Sequence, residues 1–415
     1  MAHPLGGPTL SEKPLAEHGL GEKYAGSRHL GVLPMGCIQC REGAKLVLFV
    51  TGMCDKECFY CPVSREKMYR DVLFANERPI HPPKPGDDPA THWKALFEEC
   101  DLIDAKGAGI TGGDPMVKPE RVEEVCKALK ARYGPQFHLH LYTSCAFDLK
   151  WIAKLKAAGL DEMRFHPDVR DYDRMPQSWH HAAIAEAVRV GLTTTIEIPC
   201  IPGKEHGIVA LAAYLEEVGA HGLNLNELEF SEPNIANLKR FGYQPANDET
   251  QSVAGSRETG LQVLALWKER QGTVGQAGTS RRSPTFAVHF CSSPYKDAIQ
   301  LMQRFRRRAA NVKRPFEEQT EEGTLVFGVL QPFAGGDPGE VAERLRSEFE
   351  VPAEWVIVES GRVEVAPWVA EELAEEEGVL EDLGCTAYLS EVHPTATRVE
   401  VERVPLPQPT DPAAA

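Results

Sequence analysis

Lys45-Leu-Val-Leu-Phe-Val-Thr-Gly-Met-Cys-Asp-Lys-Glu-Cys-Phe-Tyr-Cys61 runs from an apolar stretch straight into a C-x3-C-x2-C triplet. The stretch Lys45–Thr51 predicts a short buried strand, and Cys54 stands three residues past its end. The thiolates of Cys54, Cys58 and Cys61 fall within eight residues of chain. Together they can hold three irons of a cubane cluster and leave the fourth without a protein ligand. An open iron can bind a small molecule and pass it an electron. A structural metal site closes its shell with a fourth side chain instead.

Outward from this stretch, residues 45 to 310 alternate between strand and helix patterns. A strand leads into Gly112, and Phe137–Thr143, Asp161–His166, Thr193–Pro199, Leu225–Phe230 and Thr285–Cys291 read as later strands. Leu149, Ile152 and Leu155 recur at helical spacing, as do Ile208, Leu211, Leu215 and Val218. Such alternation implies βαβ units and a parallel sheet. Six strands and a seventh fall short of a closed eight-stranded barrel, so the expected class is α/β, an open partial (β/α)6-type parallel barrel. In such a sheet, chemistry gathers at the C-terminal ends of the strands. Asn234–Arg257 is polar and aperiodic, either a lid over the site or a surface insertion. Gly272–Ser283 reads as a linker.

The net charge of −16 is uneven. From Glu322 onward there are 20 acidic and 5 basic residues; the first 321 residues hold 41 and 40. This asymmetry marks a separate acidic module. Its pattern is α+β: strand Thr324–Leu330, helix Glu340–Phe349, two strands in Trp355–Val365 turning at Ser360-Gly361, helix Trp368–Glu377, and strands Ala387–Val392 and Arg398–Val404. The expected division is an N-terminal extension with a CxxC pair (1–44), a barrel (45–321), an acidic α+β domain (322–405) and a disordered tail (406–415). No apolar run is long enough to span a bilayer. The polar, Gly/Pro-rich start shows no export signal, which makes the cytoplasm the default location. In a reducing compartment, five of eleven cysteines between Cys37 and Cys61 point to metal binding or catalysis.

The triplet, with Tyr60 before its third cysteine, resembles the signature of radical S-adenosylmethionine (SAM) enzymes. Gly112-Gly113-Asp114-Pro115, at the end of the second strand, is similar to that family's Gly-Gly-Glu-Pro motif. More narrowly, residues 36–64 resemble a poorly characterised, largely archaeal group related to pyruvate formate-lyase activating enzymes. The resemblance implies a 4Fe-4S cluster on Cys54, Cys58 and Cys61, and SAM held by Gly112, Gly113 and Asp114. It further implies contributions to cofactor binding from Tyr60, Thr143, Ser144 and Gly203. The expected chemistry is reductive cleavage of SAM to a 5′-deoxyadenosyl radical, fed by an external flavodoxin- or ferredoxin-like electron donor. The radical then takes hydrogen from a substrate that the resemblance does not name.

Other features carry paired readings. Gly107-Ala-Gly-Ile-Thr-Gly112 is a nominal dinucleotide fingerprint, but it runs into Gly113-Asp-Pro rather than a helix. His166 faces substrate or cofactor, or is structural. Asn224, Asn226, Glu227 and Glu229 surround the sixth strand, and alternation sends the two glutamates to one face. Cys100 and Cys126 read as packed thiols, and Cys145 and Cys200 as pocket candidates. Cys37 and Cys40 are half of a possible second metal site or auxiliary cluster, with Cys291 as a third ligand. Two rival readings remain open at this point. One is a zinc-binding structural or interaction protein using Cys37, Cys40 and the triplet. The other is RNA modification, using the basic cluster Arg304-Phe-Arg-Arg-Arg308 with Lys313 and Arg314. Docking of that cluster against the acidic domain needs no outside partner.

Overall fold

Seven parallel strands lie side by side in sequence order: β1 (Lys45–Phe49), β2 (Gly107–Thr111), β3 (His138–Thr143), β4 (Glu162–Phe165), β5 (Thr193–Cys200), β6 (Gly222–Glu227) and β7 (Ala287–Cys291). The structure, a computed structural model, describes residues 17–18, 24–81, 92–248, 250–277 and 285–407, with backbone alone at 17, 18 and 273–277. All six neighbour pairings are parallel. The row does not close on itself. Beyond β1 lies the antiparallel strand Leu73–Ala75, and beyond β7 the antiparallel strand Arg28–Leu30. The fold is therefore an open partial barrel, with one strand added to the six-unit plan. Its helices are α1 (Met35–Arg41), α2 (Lys94–Leu102), α3 (Pro119–Tyr133), α4 (Lys150–Ala157), α5 (Trp179–Arg189), α6 (Glu205–Glu217), α7 (Ile235–Arg240) and α8 (Ser256–Ala277).

Parallel strands covered on both faces usually read as unbroken apolar runs. These strands alternate. Leu46, Leu48, Ile110, Leu139, Leu141, Met163, Phe165, Ile196, Ile198, Leu223, Leu225, Val288 and Phe290 are buried on one face. Burying each such side chain contributes roughly 1.5–3 kcal/mol. The other face carries Lys45, His138, His140, Tyr142, Glu162, Arg164, Thr195, Glu197, Asn224, Asn226 and His289. That polar face is the barrel interior, and it must satisfy its own hydrogen bonds.

The glycines of β2 follow from this interior. Gly107 pairs with His138 and Gly109 with His140. A Cβ on Gly109 would stand 2.7 Å from His140 Nε2. The apparent dinucleotide fingerprint is thus room left for the His140 imidazole at Gly109, and for His138 O, Gln39 Oε1 and Lys45 Nζ at Gly107.

Two sequence expectations shift. The sixth strand is Gly222–Glu227, not Leu225–Phe230. Leu228 and Phe230 instead form a small cluster with Leu238 and Val253, against which Phe59, Tyr60 and Tyr243 pack. Gly272–Ala277, read as the start of a linker, continues α8. The rest of that segment, most of residues 1–20, and 408–415 of the tail lie outside the described residues.

A second compact unit comprises Glu42–Ala44, Glu98–Ala105 and Gln300–Ala415. In its sheet, Ile357–Glu359, Arg362–Val365, Leu325–Pro332, Cys385–Val392 and Glu400–Pro405 run antiparallel in that order. Ser360 (φ 52°) and Gly361 (φ 77°) make the tight turn between the first two. A separate apolar core, including Leu325, Phe327, Leu345, Val363 and Ala370, supports this sheet.

Candidate active site

The cysteine loop leaves β1 and is closed at its base by backbone bonds. Gly52 N–H donates to Arg70 O and Tyr69 N–H to Gly52 O, both at 2.8 Å. A Cβ on Gly52 would lie 1.7 Å from Lys67 O, so the closure demands glycine. The Gly112-Gly113-Asp114 segment is stitched along the same loop. Gly113 N–H donates to Thr51 O at 2.7 Å and Asp114 N–H to Met53 O at 2.8 Å. Cβ atoms on Gly112 and Gly113 would come within 2.3 and 2.4 Å of Thr51 O and Met53 O. These glycines let the end of β2 lie against the backbone that presents Cys54.

Asp114 is buried, and its carboxylate is taken up by protein donors. It accepts from Met116 N at 2.8 Å, Ser144 N at 2.6 Å, Cys145 N at 2.8 Å and Thr143 Oγ1 at 3.1 Å. It thereby ties the end of β2 to the end of β3. Ser144 Oγ donates to His166 O at 3.0 Å. His166 donates from Nδ1 to Glu197 O at 2.7 Å, which leaves Nε2 to accept from the Tyr60 hydroxyl at 2.8 Å. Burial holds His166 below its ordinary pKa and Tyr60 above its own.

Cys54, Cys58 and Cys61 are half-buried and line one open basin of about 1130 Å³. Tyr60, Gly112, Gly113, Asp114, Thr143, Ser144, His166, Glu197 and Asn226 line it too. Gly203 is not among the described lining residues; its φ of +77° serves the turn into α6. Cys54 Sγ lies 3.9 Å from Cys145 Sγ. The contact with Cys145, aided by Lys56 N–H, lowers the Cys54 thiol to about 7, while burial pushes Cys58 up to about 11 and raises Cys61. Iron coordination would deprotonate all three.

A single tetrahedral zinc draws its sulfur ligands to about 3.8 Å from one another. Among the described residues, the one His/Cys/Asp/Glu group with all ligand atoms within 4.8 Å of each other is His138, His140 and Glu162. The triplet is spread more widely than one small ion needs, and a soft three-thiolate set fits a cluster. The structure also does not gather Cys37, Cys40 and Cys291 into such a group. Cys37 Sγ accepts from Arg164 Nη2 at 3.5 Å and faces Asn224 Oδ1 at 3.9 Å. Cys40 lines the basin, and Cys291 is buried opposite Asn226.

Beneath the basin runs a charged network; sequence reading named its Asn224 and Asn226 but missed Glu162, Arg164 and Glu197. Arg164 donates to Glu162 at 2.7 Å and to Glu197 at 2.6 Å. Glu197 also accepts from Asn224 at 2.8 Å and Asn226 at 2.9 Å. Burial lowers Lys45, which meets His138 Nδ1 at 2.7 Å, to about 7. The strict alternation of polar residues within parallel strands was the available signal. Glu227 and Glu229, expected on one face, both line the basin; Glu227 meets Arg257 at 3.1 Å and Ser293 N at 2.7 Å, and Glu229 pairs with Lys296 at 2.8 Å.

Comparison with known proteins agrees with this geometry. The "Radical SAM superfamily" family matches residues 48–213, and a "Domain of unknown function (DUF8061)" matches 323–406. The chain is 37% identical over 390 residues to the "Putative glycyl-radical enzyme activating enzyme MJ0021" of Methanocaldococcus jannaschii, covering 93% of this chain and 96% of that protein. A crystal structure of methylornithine synthase (PylB) overlaps 61% of this chain and 74% of its own, at 12% identity and a TM-score of 0.35, too slight a likeness to bear on function. An open parallel barrel bearing a three-cysteine loop defines a radical SAM enzyme. This chain belongs to the radical SAM superfamily, among the proteins related to pyruvate formate-lyase activating enzymes. Membership implies SAM and a 4Fe-4S cluster as cofactors. No described helix is long and apolar enough to cross a membrane.

Proposed function

We propose that Cys54, Cys58 and Cys61 hold a 4Fe-4S cluster at the rim of the basin, and that the chain acts as an activating-type enzyme on a partner protein. The observation that carries this reading is the stitching of Gly113 and Asp114 to Thr51 and Met53, which sets the end of β2 beside the cysteine loop. When bound, the cofactors supply one-electron cleavage of SAM to methionine and a 5′-deoxyadenosyl radical, which becomes 5′-deoxyadenosine on taking hydrogen from substrate. The chain's own groups position these partners. The backbone at Gly112 and Gly113 borders the cofactor, and Asp114 acts behind it by fixing Thr143, Ser144 and Cys145. Tyr60, held by His166, supplies an aromatic wall.

The basin exceeds the roughly 300–1,000 Å³ usual for small-ligand clefts, which leaves room for SAM and a peptide segment. The name of the archaeal relative suggests that the hydrogen comes from a glycine of that segment. The electron comes from an external flavodoxin- or ferredoxin-like donor. The zinc-protein reading loses support from the spread of the triplet. The RNA reading loses support because Arg308 is buried against Glu99.

Anaerobic reconstitution tests the proposal. The expected outcome is four irons and four sulfides, a reducible electron paramagnetic resonance signal, and 5′-deoxyadenosine formed from SAM under dithionite. Replacing any triplet cysteine by alanine abolishes the product. A reconstituted chain with stoichiometric zinc and no reducible cluster would overturn it.

A further inference from the structure

His140 is the least explained residue of the barrel interior. It is 1% exposed, yet its Nδ1 has no hydrogen-bond partner. A buried polar atom left unpaired is costly, so a fold that keeps one calls for a reason. Two potential ligands lie close to the His140 ring. Glu162 Oε2 lies 3.5 Å from His138 Nε2, and one ligand atom from each of the three side chains falls within 4.8 Å of the others. Gly36, in α1, keeps the space beside them clear. A Cβ there would meet Arg164 Nη2 first, and would stand 2.8 Å from His140 Nδ1 and 2.9 Å from Glu162 Oε2, whose oxygen also accepts from Gly36 N–H at 3.3 Å.

We propose that His138, His140 and Glu162 form a buried binding site for one zinc-type divalent ion beneath the basin, separate from the cluster. Two imidazoles and a carboxylate make a donor set suited to zinc. Tetrahedral zinc with bonds of roughly 2.0–2.2 Å spaces such ligands about 3.3 Å apart. The His138–Glu162 pair is already near that spacing, and a small ring movement brings in His140. Both of those ligands are held from behind. Arg164 Nε binds Glu162 Oε1 at 2.7 Å, and Lys45 Nζ meets His138 Nδ1 at 2.7 Å, which turns Nε2 toward Glu162. Such outer partners orient ligands in metal sites generally. Arg164 keeps its partner in Glu197. The ion would tie β3 to β4 below the place where Thr143, Ser144 and His166 meet the basin.

The test does not depend on the cluster. The full chain carrying Cys54→Ala, Cys58→Ala and Cys61→Ala is stripped with chelator and titrated with zinc chloride. The expected result is one zinc per chain, a raised Tm, and a cobalt-substituted spectrum without thiolate charge-transfer bands. His140→Ala should lose the ion while keeping its circular dichroism. Glu162→Gln, nearly isosteric, serves as the second variant should His140→Ala fail to fold. Zinc no higher than the chelated background would overturn the proposal. So would zinc that persists in the variants, or cobalt bands of thiolate origin, which would place the metal on Cys37 and Cys40. Failure of the cluster reading shows separately, as absence of iron from the wild-type chain.

Discussion

At Asp114 one carboxylate organises four donors from two strand ends. Removing it in Asp114→Ala leaves the N–H groups of Ser144, Cys145 and Met116, and Thr143 Oγ1, without their acceptor. Each unpaired buried group costs roughly 1–3 kcal/mol, part of which water recovers. We expect a loss of about 3 kcal/mol in urea unfolding, with SAM binding weakened in parallel. A variant within about 0.5 kcal/mol of wild type would show that the carboxylate is dispensable. The position of Asp114 was legible in the sequence, because Gly-Gly-Asp-Pro follows a strand end. Its bonding was not, because three of its four partners, Thr143, Ser144 and Cys145, lie at the end of β3 and reach it only through β2–β3 pairing. The same holds for Gly107 and Gly109. As a string they suggest phosphate binding. Only the register with His138 and His140 shows what they accommodate.

Among elements, the cysteine loop shows how a flexible-looking segment is fixed. Its return leg carries Asp71, which accepts from Thr51 Oγ1 at 2.9 Å and pairs with Arg121 of α3 at 2.6 Å. Arg121 also donates to Val50 O at 2.7 Å. The Arg121 hydrogen bond, with help from Thr51, holds the Asp71 carboxyl down at about 2. The folded state therefore binds fewer protons than the unfolded state between about pH 4 and pH 2. The stabilisation is complete above that window and is lost as pH falls through it. The shift alone corresponds to about 2.4 kcal/mol. Asp71 is 37% exposed, and solvent screening reduces that to roughly 1 kcal/mol. Asp71→Asn should thus be about 1 kcal/mol less stable than wild type at pH 7, with the gap narrowing from pH 4 to pH 2 in urea titrations. A pH-independent gap would assign the effect to packing. At this scale the parallel strands were legible as short runs set between helical patterns. The sixth was displaced because Leu228 and Phe230 look like strand residues yet cover the aromatic end of the cysteine loop.

Over the whole molecule, the chain enters the second unit at Glu42–Ala44 and Glu98–Ala105 before settling there from Gln300 onward. Composition could show an acidic C-terminal stretch, but not that short earlier segments join it, because those segments carry no compositional mark. The arginine cluster makes the point. Arg306 donates to Glu321 O at 2.5 Å and Arg307 to Glu42 O at 2.9 Å. Arg308 forms a forked pair with Glu99 and also donates to Pro394 O. Arg308 is 4% exposed and Glu99 fully buried. A buried pair of this kind adds little net stability over an apolar replacement, but breaking it strands a charge. Arg308→Ala should therefore cost about 3–5 kcal/mol, whereas Arg308→Met combined with Glu99→Leu should recover most of that loss. A double-mutant cycle by chemical denaturation separates the two contributions. If Arg308→Ala were nearly neutral in stability and instead weakened salt-sensitive RNA binding, the cluster would be an outward-facing surface, and the internal role assigned to it here would fall.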